Sequence, residues 1–209
     1  MESIDHDKGG IVMKYPQGSF FNRMRFVFDK NLRMSNITDA SAAAYGTREA
    51  FASDGELDYL GYAEGKVSFL DVHEIVGRLA TLLAQHGLKR FDRVAIYKAN
   101  SLDYFLMALA VMRVGGIAVP IHGRMKPEGF TRYANYCGCR MVYTDADNYS
   151  QLNVEDFPMV STWIFPHRHS YDGINSIILE QGYSKNLAIA PAVRMNQHDD
   201  ALIVHTSGT

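Results

Sequence analysis

RVAIYKANSLDYFLMALAVMRVGGIAVPI, residues 93–121, carries a strand, a helix and a second strand in its own pattern. Val94-Ala95-Ile96-Tyr97 is a short apolar run without polar alternation, the mark of a strand buried on both faces. Ser101 is a helix-capping residue type, and Asp103 puts negative charge in the first turn, where the helix dipole favours it. The spacing predicts a helix from Leu102 to about Val114, stopped by Gly115-Gly116, and then a strand over Ile117 to Ile121.

Moving toward the N-terminus, Ser68-Phe69-Leu70-Asp71 has the spacing of a capping box, with Asp in place of Glu. Val72, Ile75, Val76, Leu79, Leu82 and Leu83 follow at helical spacing and share one face, with Glu74 and Arg78 off it. Burying that face is worth roughly 9–18 kcal/mol gross, so this helix needs a large partner. Gly87 supplies its left-handed stop. Thr38 to Glu49 is Ala-rich and expected to be helical, and Ser53 to Lys66 reads as a loop or short hairpin. Residues 1–37, with Phe20-Phe21 and Phe26-Val27-Phe28, form an irregular lead-in.

Toward the C-terminus, Pro127 opens a helix where its missing N–H costs nothing, and Gly129 weakens that helix. Met141-Val142-Tyr143-Thr144 and Ser161 to Phe165 are expected strands, Ile174, Ile177 and Ile178 mark a short helix, and Ala201 to His205 is a last strand. Alternating strands and helices predict an α/β fold, a mostly parallel sheet with helices on both faces. Ligands of such sheets sit beyond the carboxyl ends of the strands.

Composition narrows the function. The 209 residues are 47% apolar and 21% charged with a formal net charge of -2, as in a globular protein with no overall basic field for nucleic acid. The N-terminus has acids and glycines where a secretory signal needs an apolar core, and Arg113, Gly115-Gly116 and Pro120 interrupt the most apolar stretch, Tyr104 to Ile121. Cytoplasmic location without a transmembrane segment is expected; peripheral membrane contact and the oligomeric state stay open. Cys137 and Cys139 flank Gly138, too close for an ordinary disulfide and without the second pair of a zinc site, so small buried or loop thiols are expected.

Asp199-Asp200 leads into Ala201-Leu202-Ile203-Val204, then His205 and Thr206-Ser207-Gly208-Thr209. Hydroxyls, successive backbone N–H groups and a glycine that admits close approach are what phosphate oxygens require, although such a segment also makes an ordinary turn. It is not a G-x-x-x-x-G-K-[ST] loop.

Three stretches, in order, resemble an AMP-forming acyl-CoA synthetase of the adenylate-forming superfamily. Val67 to Val72 is similar to that family's first core motif. Arg93 to Ile96, Asn100-Ser101 and Met112 to Ile121 are similar to its second. Asp200 to Thr209 is similar to its ATP phosphate loop, which in the family continues as Thr-Gly-x-Pro-Lys. The resemblance implies that residues 38–209 are the first part of the family's large N-terminal domain, an incomplete AMP-binding domain cut inside the phosphate loop. It implies Thr206, Ser207, Gly208 and Thr209 as ATP phosphate-binding residues. It also implies ATP, Mg2+ and coenzyme A as cofactors, with a carboxylic acid, fatty or other, as substrate. The catalytic residues are expected beyond residue 209, no metal ligand is assigned, and the 209-residue piece alone is expected to be inactive. An adenylation domain that loads a carrier protein and a non-catalytic module of the same fold are the alternatives.

Several residues tempt a different reading. Tyr45-Gly46-Thr47-Arg48-Glu49 superficially resembles the family's later Tyr-Gly-x-Thr-Glu motif, but it precedes the first motif and is expected to be a helix-to-strand entry. Lys126 stands where the family often has a Thr or Ser cap. His167 and His169 lack an evident third metal ligand, His122 and His205 lie at strand ends where a pocket can form, and Tyr133, Tyr136 and Tyr143 have no basic stripe beside them.

Overall fold

The computed structural model of the chain describes Met24 and residues 28–62, 65–169, 171 and 173–205. In order, its helices and strands are α1 (Ile37–Tyr45), β1 (Glu49–Ser53), β2 (Gly65–Ser68), α2 (Phe69–Gln85), β3 (Arg93–Lys98), α3 (Leu102–Arg113), β4 (Ile117–His122), α4 (Pro127–Cys137), β5 (Met141–Thr144), α5 (Ala146–Tyr149), β6 (Thr162–Phe165), β7 (Ser176–Ile178) and α6 (Leu179–Gly182). β1 and β2 form the antiparallel hairpin, and β3 to β7 form a parallel sheet in the order β4-β3-β5-β6-β7.

The period of two along each strand divides the core between two faces. Val94, Ile96, Met141, Tyr143, Ile164 and Ile177 point to one face, where α2 and α3 bury Ile75, Leu79, Leu106 and Val111. Ala95, Tyr97, Val119, Val142, Trp163 and Phe165 point to the other, under Phe130 and Ala134 of α4. Because both faces are covered, the strands contain almost no exposed position.

The capping box forms as the sequence predicts. Ser68 Oγ accepts the Asp71 N–H at 3.1 Å, and Asp71 Oδ2 accepts the Ser68 N–H at 2.9 Å. The predicted apolar face of α2 is buried, Glu74 and Arg78 pair at 2.9 Å beside it, and Gly87 adopts φ +90°. An extended segment crosses both helices of the first face: the Ala190 N–H donates to Gly77 O at 3.1 Å and the Val193 N–H to Arg113 O at 2.9 Å.

Four expectations need correction. The first helix ends at Tyr45, because Gly46 at φ +55° turns the chain and Glu49 already belongs to β1. This is the helix-to-strand entry expected of Tyr45 to Glu49. Ile177 and Ile178 lie in strand β7, not a helix: the edge of β6 offers a parallel partner, and β-branched residues fit it. Ser101 does not cap α3 with its side chain; Glu56 Oε1 accepts the Leu102 N–H at 3.0 Å instead.

The strand expected over Ala201 to His205 shrinks to one parallel bridge, Ala118 to Leu202, with Ala118 N–H on Ala201 O at 3.0 Å and Ile203 N–H on Ala118 O at 2.9 Å. The next bond of a parallel ladder would need an N–H two residues further along β4. That residue is Pro120, which has none, so the ladder stops.

Candidate nucleotide edge of the sheet

Parallel strands align their carboxyl ends along one edge. Here that edge carries Lys98, His122, Thr144, Phe165 and Ile178, and register pairs Lys98 with His122. The chain from Leu202 to His205 runs parallel to β4 toward the same edge. Thr206, Ser207, Gly208 and Thr209 follow it directly and lie outside the described residues.

The most developed polar constellation at this edge centres on Asp103, in the first turn of α3. Its Oδ2 accepts from Lys98 Nζ at 2.5 Å, from the Tyr143 hydroxyl at 2.5 Å and from the Tyr59 hydroxyl at 2.9 Å, and Ser101 Oγ donates to Oδ1. Burial opposes the charge of this carboxylate, but the attraction of Lys98 and the hydrogen bonds from Lys98, Ser101 and Tyr143 outweigh it and hold its pKa below the ordinary value. Burial and the same carboxylate push both tyrosines well up, so they stay protonated as donors. Sequence reading placed Asp103 as a dipole partner only. The lysine that ends an apolar strand five residues before it was the available signal; Tyr59 and Tyr143 come from distant segments and left none.

The loop from β4 to α4 approaches β3 at Gly123. A Cβ there would stand 2.5 Å from the Lys98 carbonyl carbon and 2.6 Å from Ala99 N, so only glycine fits this crossing. In the same loop His122 is exposed, and its Nδ1 accepts the Arg124 N–H at 3.0 Å, which leaves the ring proton on Nε2. Lys126 precedes α4 without a side-chain cap, and Pro127 occupies the first turn.

His205 lies on the second face of the sheet, where its ring and that of Tyr133 of α4 meet in a T-shaped contact, 5.3 Å between centroids and 76° between planes. Of the remaining sequence candidates, His167 reaches this edge through a T-shaped ring contact with Tyr59 of the Asp103 cluster, 5.0 Å between centroids. His167 Nδ1 contacts Glu180 Oε2 at 3.1 Å, whereas His169 lies against the Tyr171 ring. Among the described residues no three His, Cys, Asp or Glu side chains gather as they would around a metal. Cys137 and Cys139 are buried and free; burial pushes the Cys139 thiol up to about 12, so it is not a thiolate nucleophile. Tyr136 is exposed while Tyr143 is fully buried, so the tyrosines make no common surface.

A cleft of about 370 Å³ opens at the opposite, amino-terminal end of the strands, between Arg33, Ser35, Met112, Met195 and Asp199. Its acid is already engaged, since Asp199 accepts from Arg90 at 2.6 Å and from the Asn196 N–H at 2.7 Å. The convergent polar groups are at the carboxyl edge, and that edge is the candidate site. No helix among the described residues is long and apolar enough to cross a membrane.

Comparison with known proteins agrees with this architecture. The family described as AMP-binding enzyme matches residues 38–209. A probable CoA ligase of Humulus lupulus is 24% identical over 86% of this chain and 33% of its own length. The acetyl-coenzyme A synthetase of Rhizobium rhizogenes is 25% identical over 83% of this chain and 29% of its own. The chain therefore spans about a third of the length of these curated relatives. Among solved structures, a long-chain-fatty-acid-CoA ligase from Archaeoglobus fulgidus superposes with a TM-score of 0.67 at 22% identity, covering 86% of this chain and 35% of that one.

Proposed function

The chain belongs to the AMP-binding enzyme family, and from that premise we propose that it is the N-terminal part of an ATP-dependent, AMP-forming acid–thiol ligase. In this reaction a carboxylate oxygen attacks the α-phosphorus of ATP, the bond to the bridging oxygen breaks, and pyrophosphate leaves. The acyl-adenylate then passes its acyl group to a thiol, that of coenzyme A, with release of AMP. The reading is carried by the family match, which runs through residues 38–209 and so includes the segment that follows the carboxyl edge of the sheet.

In this proposal Thr206, Ser207, Gly208 and Thr209 hold the β- and γ-phosphates. The hydroxyls and backbone N–H groups donate to phosphate oxygens, and Gly208 lets the backbone approach them. Fixing the leaving group in line with the attacking carboxylate lowers the barrier by orientation and charge stabilisation. Oxygen donors of this kind are compatible with phosphate that carries Mg2+, which would neutralise charge on the nucleotide.

The experiment is carboxylate-dependent ATP–pyrophosphate exchange by the longer protein. Thr209→Ala removes one hydrogen bond to a charged group, worth about 1.5–3 kcal/mol, and should slow exchange about 10- to 150-fold. Gly208→Val should slow it further, because a β-branched side chain restricts the backbone and blocks close approach. Melting temperatures of both variants should stay near the parent's. Full activity of Gly208→Val would remove the segment from the phosphate site, and exchange without thioester formation on coenzyme A would point to a carrier-protein acceptor.

A further inference from the structure

The ligase reading gives no task to the cleft at the amino-terminal end of the sheet. Two stretches wall it: Leu32 to Ile37, which leads into α1, and Met195 to Ala201, which leads to the bridge between Leu202 and Ala118. Met112, near the end of α3, joins them. At about 370 Å³ the cleft lies in the size range of small-molecule sites. Much of its lining is apolar and compliant, because Met34, Met112 and Met195 bring unbranched, polarisable thioethers that reshape around an irregular guest.

One wall carries an unmatched charge. Arg33 Nη1 donates to Lys30 O at 2.9 Å and to Leu32 O at 2.7 Å, which holds the guanidinium in place, but neither acceptor is charged. Its Nε is buried and has no hydrogen-bond partner. Asp199, the acid of the lining, is engaged by Arg90 at 2.6 Å and by the Asn196 N–H at 2.7 Å. Ser35, 4% exposed, adds a hydroxyl to the wall that holds Arg33. A buried donor without an acceptor costs free energy that an anionic guest recovers. A single cation matches a single negative charge; a dianion would bring a second charge into the apolar lining without a partner.

We propose that this cleft is a binding site for a small amphiphilic carboxylate, a monoanionic acid with a compact hydrocarbon body. Arg33 and Ser35 receive the carboxylate, and the methionines receive the hydrocarbon. The site lies at the opposite end of the strands from the candidate nucleotide edge, and it depends neither on ATP nor on the ligase reading. A guest there touches both walls, so it ties the entry to α1 to the segment that reaches Ala118.

The test titrates the 209-residue chain, labelled with 13C at its methionine methyls, with octanoate, 1-octanol and inorganic phosphate. Octanoate should shift the Met112 and Met195 resonances and raise the melting temperature, since it binds the folded state. Arg33→Gln should weaken octanoate about 10- to 150-fold, the size of a lost hydrogen bond to a charged group, and bring it level with 1-octanol. That variant also gives up the bonds to Lys30 O and Leu32 O, so a second one leaves Arg33 intact: Ala201→Leu fills the cleft and should abolish the shifts while the melting temperature without ligand stays near the parent's. Octanoate that leaves both methionines unshifted would overturn the site, and undiminished binding by Ala201→Leu would place the guest elsewhere. Equal affinity of the parent for octanoate and 1-octanol would overturn the role of Arg33. Phosphate that shifts the same methyls as tightly as octanoate would overturn the amphiphilic class.

Discussion

Each end of α3 carries a buried ion pair, and the two are built on different plans. At the amino end, Asp103 binds Lys98 only five residues away in sequence, together with the hydroxyls of Tyr59 and Tyr143. At the carboxyl end, the Arg113 guanidinium donates from Nη1 to Asp39 Oδ1 at 2.6 Å and to Thr38 Oγ1 at 3.0 Å, and from Nε to Ala190 O at 2.7 Å. Both obey the helix dipole, with the acid at the positive end and the base at the negative end. Their tasks differ. The Asp103 cluster closes the carboxyl edge of the sheet, toward which the chain from Leu202 to His205 runs. Arg113 ties α1 and the crossing segment at 190 to the far end of the helix, away from any proposed chemistry. The same electrostatic rule thus yields a sealed polar plug at one end and a fork that joins distant segments at the other.

Burial decides how hard each is to lose. The Asp103 side chain is 4% exposed and Lys98 10%, whereas Asp39 is 26% exposed beside a 3% exposed Arg113. Asp103→Ala strands a buried ammonium and leaves two tyrosine hydroxyls without their acceptor, so it should cost about 3–5 kcal/mol in urea unfolding. A loss below about 1 kcal/mol would mean that Lys98 escapes to solvent and the plug is not sealed.

Arg113→Lys keeps the charge but not the planar fork, so one cation can no longer serve both Asp39 and Ala190 O. A loss of about 1.5–3 kcal/mol is expected, with faster amide exchange at Ala190 as the local sign. Equal loss in Arg113→Lys and Asp103→Ala would erase the distinction between the two ends.

Glu56→Ala tests the cap that the structure substitutes for Ser101. Removing an acceptor at a helix start costs about 0.5–2 kcal/mol, so a drop of that size in urea unfolding is expected. No change would show that water serves the Leu102 N–H equally well.

The smallest expected effect is a slope. Burial opposes ionisation of Asp39, but His73 and Arg113 outweigh it and hold the carboxyl below its ordinary value. A lowered folded pKa stabilises above the unfolded value, near about 3.9, and that contribution is lost as pH falls through the folded value. The stability gap between parent and Asp39→Asn should therefore narrow below about pH 4, by a modest amount because solvent screens Asp39. A gap constant from pH 7 to pH 3 would show that Asp39 does not ionise differently in the folded state.

Local chemistry is why much of this molecule is legible in its sequence. The strand–helix–strand pattern of residues 93–121, the capping box at Ser68 and the apolar face of α2 each depend on neighbours within a few positions, so sequence alone determined them, and with them the α/β class. The three ordered motifs likewise pointed to the family that matches residues 38–209. Tertiary structure decided what depends on separated segments. A parallel ladder needs both strands, so only the pairing of Leu202 with Ala118 shows that Pro120 interrupts the strand expected over Ala201 to His205. The strand character of Ile177 and Ile178 depends on the β6 edge beside them. The partners of Asp103 and Arg113, up to 77 residues apart in sequence, meet only because packing brings them there. Once they are buried, the cost of an unpaired charge makes each choice of partner specific.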